Sequence, residues 1–185
     1  MKKVFIVAVP EEVNHIENIF GYPIIYSGAG KINATMAACK AHELEFEEVI
    51  NIGSCGSMKL KMGEIVQIGN VFHDIDFSPL CEYGDTLFEP DSFQIQINSD
   101  SPYNCFTTDY FYDHSYIQKY SPEYLKMIDK CDVFDMECFA LAKVCKKYNM
   151  KFSSYKWVSD NGDGGNWEEN CKVSFEKIKM LLNEN

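Results

Sequence analysis

The sequence predicts an α/β fold, a mostly parallel sheet covered by helices on both faces. Three observations predict it. A continuous apolar, β-branched run at 3–9 has the pattern of a strand buried on both sides, and 48–52 and 152–158 read as further strands. Segments with apolar residues at helical spacing lie between such runs, and strand alternating with helix implies parallel pairing with crossover helices. Short acidic or glycine-rich segments follow the strand ends, where sheets of this kind bind ligands.

In chain order, 3–9 is the first strand and 11–20 a helix with Val13, Ile16, Ile19 and Phe20 at helical spacing. A short strand at 23–26 leads into Ser-Gly-Ala-Gly-Lys (27–31), which turns the chain into a helix rich in Ala and Met that runs to about Leu44. The strand 48–52 ends in Gly-Ser-Cys-Gly-Ser (53–57), and 64–68 and 70–77 are two more strands around Gly69. Residues 78–102 read as loop with a short strand at 93–97, followed by a strand at 103–108. A helix over 134–148 carries the stripe Met136, Phe139, Ala140 and Val144. The strand 152–158 runs into Ser-Asp-Asn-Gly-Asp-Gly-Gly (159–165), and 167–182 is the closing amphipathic helix. At 185 residues, without a repeat or linker, one domain over 1–185 is expected.

Charge and composition exclude several function classes. The net charge is −11 and no basic run occurs, so a nucleic acid is not an expected partner. All 17 basic residues are Lys; the chain has no Arg, the usual bidentate clamp for phosphate. The eight Cys form no CxxC pair and the four His no ligand spacing, so no metal site is expected and buried reduced thiols are. The apolar run after Met1-Lys2-Lys3 is too short for a signal peptide and ends in Pro10-Glu11-Glu12. With no run long enough to span a bilayer, a cytoplasmic location without membrane association is expected.

Taken singly, the motifs have plain readings. The 27–31 segment is either an anion cradle of backbone N–H groups or an ordinary strand-to-helix turn, the second being commoner. The 53–57 segment is either a close-packed turn or a place where backbone approaches a ligand. Glu12 and Glu137 sit near helix starts, where carboxylates are favoured anyway. Asp160 follows a strand, a common turn position.

The combination is more specific. Pro-Glu-Glu-Val after the first strand, Ser-Gly-Ala-Gly-Lys, Asn-Ile-Gly-Ser-Cys-Gly-Ser, Met-Gly-Glu-Ile-Val, Val-Phe-His-Asp-Ile-Asp, a helix opening Asp-Met-Glu-Cys-Phe-Ala and a strand ending Trp-Val-Ser-Asp occur in that order. This resembles the purine nucleoside phosphorylase/nucleosidase superfamily, most closely its methylthioadenosine/S-adenosylhomocysteine nucleosidase branch, from Val4 to Asp160. The resemblance implies a three-layer αβα fold with a mixed, mostly parallel central sheet, here shortened. The hairpin usual before the Ser-Gly-x-Gly-Lys turn is missing by this reading, and 80–101 does not follow the family pattern.

The resemblance also implies chemistry. The expected reaction is hydrolysis of the N-glycosidic bond of a purine nucleoside, without a cofactor. Asp160 would protonate the leaving base and Glu12 would take a proton from the attacking water, a two-carboxyl arrangement like that of glycoside hydrolysis. Glu137 would bond the ribose hydroxyls, Met136 would pack on the ribose, Phe111 would stack on the base, and Ser54 and Ser159 would lie beside the substrate. Phosphorylases of the superfamily hold phosphate mainly with Arg, which favours water here; phosphorolysis relying on Lys31 and backbone N–H groups is the alternative, and a catalytically silent nucleoside-binding protein is the alternative of another class. A homodimer is implied, with 71–80 as its expected surface.

Overall fold

The structure, a computed structural model, describes residues 2–89, 92–163 and 167–183, excluding the side chains at 168, 172 and 173. The end of the 159–165 motif therefore lies outside the described residues. Ten strands form one mixed sheet. They are β1 (Lys3–Val7), β2 (Asn18–Ile19), β3 (Tyr22–Tyr26), β4 (Glu48–Gly56), β5 (Ile65–Gln67), β6 (Asn70–His73), β7 (Gln94–Gln96), β8 (Asn104–Thr107), β9 (Val133–Asp135) and β10 (Lys151–Asp160). The helices are α1 (Lys31–Glu43), α2 (Pro122–Lys130), α3 (Cys138–Lys147) and α4 (Trp167–Asn183). The order across the sheet is β2-β3-β1-β4-β9-β8-β6-β7, with β10 paired to β4 and β5 to β10. The β1–β3, β1–β4, β4–β10, β6–β8 and β8–β9 pairs are parallel, the rest antiparallel.

Alternation along the strands sorts side chains to two helical layers. On β1, Val4 and Ile6 face a core made with α1 and α3, while Phe5 and Val7 face a second core closed by α4. Ile50, Ile52 and Trp157 join the second core with Phe175 and Ile178 of α4. The first core depends on small residues: Ala34, Ala37, Ala38 and Ala41 form one buried stripe of α1, so that helix lies close against α3. A separate aromatic cluster of Phe106, Tyr112, Tyr124 and Phe134 lies under α2.

Several elements differ from the sequence expectation. The 11–20 helix is only a 3-10 turn, Pro10–Val13, because Asn14 and His15 take left-handed φ of 55° and 57° and end it. Ile16 and Ile19 still pack on the α4 core, which explains their helix-like spacing. The hairpin before 27–31 is reduced rather than missing: β2 and β3 pair antiparallel through Asn18–Pro23 and Ile19–Tyr22. The helix over 134–148 starts at Cys138, since Val133–Asp135 is instead a strand beside β8. β4 continues through the glycine-rich motif to Gly56, and β6 stops at His73. Among the described residues no helix is long and apolar enough to cross a membrane.

Candidate active site

The carboxyl ends of β1, β4, β9 and β10 converge on one cavity of about 260 Å3. Glu12, Ser54, Phe111, Met136, Glu137, Ser159 and Asp160 all line it, so every site residue expected from sequence is brought to the same place.

Glu12 reaches the cavity because the 3-10 turn folds straight back from β1, leaving its carboxylate 3% exposed. Its Oε1 accepts the Ser54 backbone N–H at 2.7 Å and the Ser54 hydroxyl at 2.6 Å. Burial raises its pKa above the usual carboxylate value, against the lowering pull of Lys156 and the Ser54 donors. Asp160 ends β10 just past a register shift between Val158 and Asp160. The extra residue re-aims the strand end, and both Ser159 and Asp160 are buried. The Asp160 carboxylate accepts from the Ser159 hydroxyl and from the Gly162 N–H, each at 2.9 Å.

Glu137 is the residue before α3 and accepts the Gly30 N–H at 2.9 Å. The anion at the glycine-rich turn is thus one of the protein's own carboxylates. Gly30 adopts a φ of 95°, which L side chains rarely take, and this presents its N–H to Glu137. Burial, then the neighbouring Asp135, push Glu137 up to about 8, while Lys156 pulls the other way. Lys156, absent from the sequence reading, is 1% exposed on β10, with its ammonium 2.7 Å from Asp135. The other Asp135 oxygen accepts the Thr107 hydroxyl at 2.7 Å. Asp135 also accepts the Cys138 N–H at 2.9 Å, through the oxygen that meets Lys156. Facing Asp135 and Glu137, the Lys156 ammonium is held charged and its pKa lies well above the ordinary lysine value, despite burial.

Aromatic walls close the site: Phe111 is 58% exposed, while Tyr112 and Phe134 are buried. Trp167, at the start of α4, is a further wall residue that sequence reasoning missed. Lys31 does not line the cavity. Its ammonium is ion-paired with Asp74 and lies 3.3 Å from Asp109. Among the described residues, four acidic residues and no Lys or His line the cavity, and one of the four, Asp135, has its side chain sealed against Lys156. Cys105, Asp135 and Cys138 offer ligand atoms within 4.8 Å of one another. With the Lys156 ammonium already on Asp135 and burial raising the Cys105 thiol, this donor set does not suit a cation. All eight cysteines are free thiols.

No protein-family model matches the chain. A methylthioadenosine/S-adenosylhomocysteine nucleosidase of Exiguobacterium is 26% identical over 84% of this chain and 72% of its own length. The solved futalosine hydrolase of Helicobacter pylori superposes with a TM-score of 0.80 over 100% of this chain and 98% of that one, at 18% identity. A methylthioadenosine/S-adenosylhomocysteine nucleosidase of Colwellia psychrerythraea, solved with adenine, superposes with a TM-score of 0.81 over 99% of this chain and 93% of that one, at 21% identity. The three-layer α/β fold with its mixed sheet is shared with these proteins.

Proposed function

From a chain with the fold of the nucleoside phosphorylase/nucleosidase superfamily and sequence similarity to its nucleosidases, we propose an N-glycosyl hydrolase that cleaves the base–sugar bond of a purine nucleoside with water. The substrates named for the similar proteins, methylthioadenosine, S-adenosylhomocysteine and futalosine, set the class. One observation carries the choice of water: among the described residues no Lys or His lines the cavity. A phosphate mono- or dianion would meet no cationic side chain in the lining, and Lys31, the expected substitute clamp, is already paired with Asp74 and Asp109.

In the proposed reaction the C1′–N9 bond breaks as Asp160 gives a proton to N7 of the base, which leaves as the neutral purine. Water adds its oxygen to C1′ and passes a proton to Glu12, a stronger base for being buried. Glu137 bonds the ribose hydroxyls. The carboxyl groups beside the sugar, Glu137 foremost, stabilise the positive charge that develops on it. Met136 packs on the ribose, Phe111 covers the base, and Ser54 and Ser159 hold Glu12 and Asp160. A homodimer fits the exposure of Leu80 (73%) and Phe88 (100%), at and beyond the end of the 71–80 stretch.

The test is Asp160→Asn against a panel of purine nucleosides, reading base release and ligand binding separately. An enzyme loses base release by at least about 100-fold while still binding nucleoside. A wild type that binds nucleosides and releases no base overturns hydrolysis in favour of a silent binding protein.

A further inference from the structure

Ser54 joins two groups that lie far apart in the chain. The Trp167 indole N–H donates to the Ser54 hydroxyl oxygen at 2.9 Å, and the Ser54 hydroxyl reaches Glu12 Oε1 at 2.6 Å. The chemistry of the three groups fixes the direction. An indole nitrogen only donates and a carboxylate only accepts, so the single Ser54 proton must point at Glu12. The Cys171 thiol also lies near Ser54, but burial pushes its pKa up to about 12, so it remains a thiol and does not compete as an anion for that proton.

Glu12 Oε1 accepts twice from Ser54, through the backbone N–H at 2.7 Å as well as the hydroxyl. Two donors fill the two lone pairs of that oxygen. Among the described residues, the other oxygen, Oε2, accepts only the Val9 N–H, at 3.4 Å. We propose that Trp167 is a positioning residue for the general base: through Ser54 it occupies Glu12 Oε1 and leaves Oε2 as the oxygen that receives the proton from water. This rests on the hydrolase reading of the same site. It also gives the first turn of α4 a role in catalysis, because docking of that helix onto the sheet completes the relay.

The relay makes a sharp distinction between ring and N–H. Trp167→Phe keeps an apolar aromatic wall and removes only the donor. Without the indole N–H, the Ser54 hydroxyl is a weaker donor, so Glu12 holds a proton more tightly. The acid limb of the kcat profile, where falling pH protonates Glu12, then moves to higher pH. With Oε1 no longer held in place, Oε2 is less well aimed at the water, and about a 2- to 10-fold fall in kcat above that limb is expected. KM for the nucleoside stays within about 2-fold.

The experiment is kcat, KM and the pH profile of base release for wild type, Trp167→Phe, Ser54→Ala and the double variant. The expected result is that Trp167→Phe lowers kcat and moves the acid limb upward, and that it has no further effect once Ser54 is Ala. An unchanged pH profile in Trp167→Phe, a change confined to KM, or an equal effect with and without the Ser54 hydroxyl overturns the proposal. A wild type that releases no base from any purine nucleoside overturns the hydrolase reading itself, a separate outcome. If Trp167→Phe fails to fold, Ser54→Ala alone decides: the relay requires its acid limb to move upward too, and an unmoved limb overturns the assignment.

Discussion

Lys156 and Asp135 form an ion pair at 2.7 Å with both side chains sealed from solvent, directly beside the proposed ribose-binding Glu137. A buried pair of this kind is costly to break from one side, because the remaining charge is left without its partner. Lys156→Met is expected to destabilise the fold by about 3–5 kcal/mol in chemical denaturation. Adding Asp135→Asn to that variant is expected to recover part of the loss, since the amide needs no counter-ion. A double variant no more stable than Lys156→Met contradicts the pair as described.

Glu137 gives a stability profile with a defined sign. Its folded pKa of about 8 lies above the ordinary 4.5, so between those values the folded state binds more protons than the unfolded chain. Stability contributed by the protonated group is present at low pH and is lost as pH rises through that window. Glu137→Gln is therefore expected to flatten the fall in stability toward pH 8, gaining on the order of 1–3 kcal/mol there relative to wild type. Thermal or urea unfolding measured across this range checks it; a parallel profile in the variant contradicts it.

Gly56 is where β4 meets β9. A Cβ built on it would lie 1.9 Å from the Phe134 ring, and the two residues are register partners. Gly56→Ala is expected to cost about 1–3 kcal/mol by overpacking. Phe134→Leu in the same background is expected to return part of that by vacating the ring edge, as measured by denaturant midpoint.

The parts of the fold that could be read in sequence are those whose signal is local. The run at 3–9 and the turn at 27–31 announce themselves by pattern, and the carboxylates at 12, 137 and 160 by the order of the motifs that carry them. The helix α2 also carries a local signal: Ser121 caps it, accepting the Tyr124 N–H, with Pro122 in its first turn. Other features had no local signal. The helix-like spacing of Val13, Ile16 and Ile19 belongs to a turn and a hairpin that share one core, and only the left-handed Asn14 and His15 separate them. Lys156 in an apolar strand reads as an exposed edge residue until Asp135, 21 positions earlier, is folded against it. Trp167 reads as the apolar start of a helix, and nothing in the sequence joins it to Ser54.

Whether water or phosphate takes the sugar is decided by the products of a single incubation. Wild-type protein is incubated with 5′-methylthioadenosine in rigorously phosphate-free buffer and again with added phosphate, and the base and sugar products are resolved chromatographically. Adenine release at the same rate in both, with the free sugar as co-product, is the expected result. Base release that requires phosphate, with a sugar 1-phosphate as co-product, contradicts it.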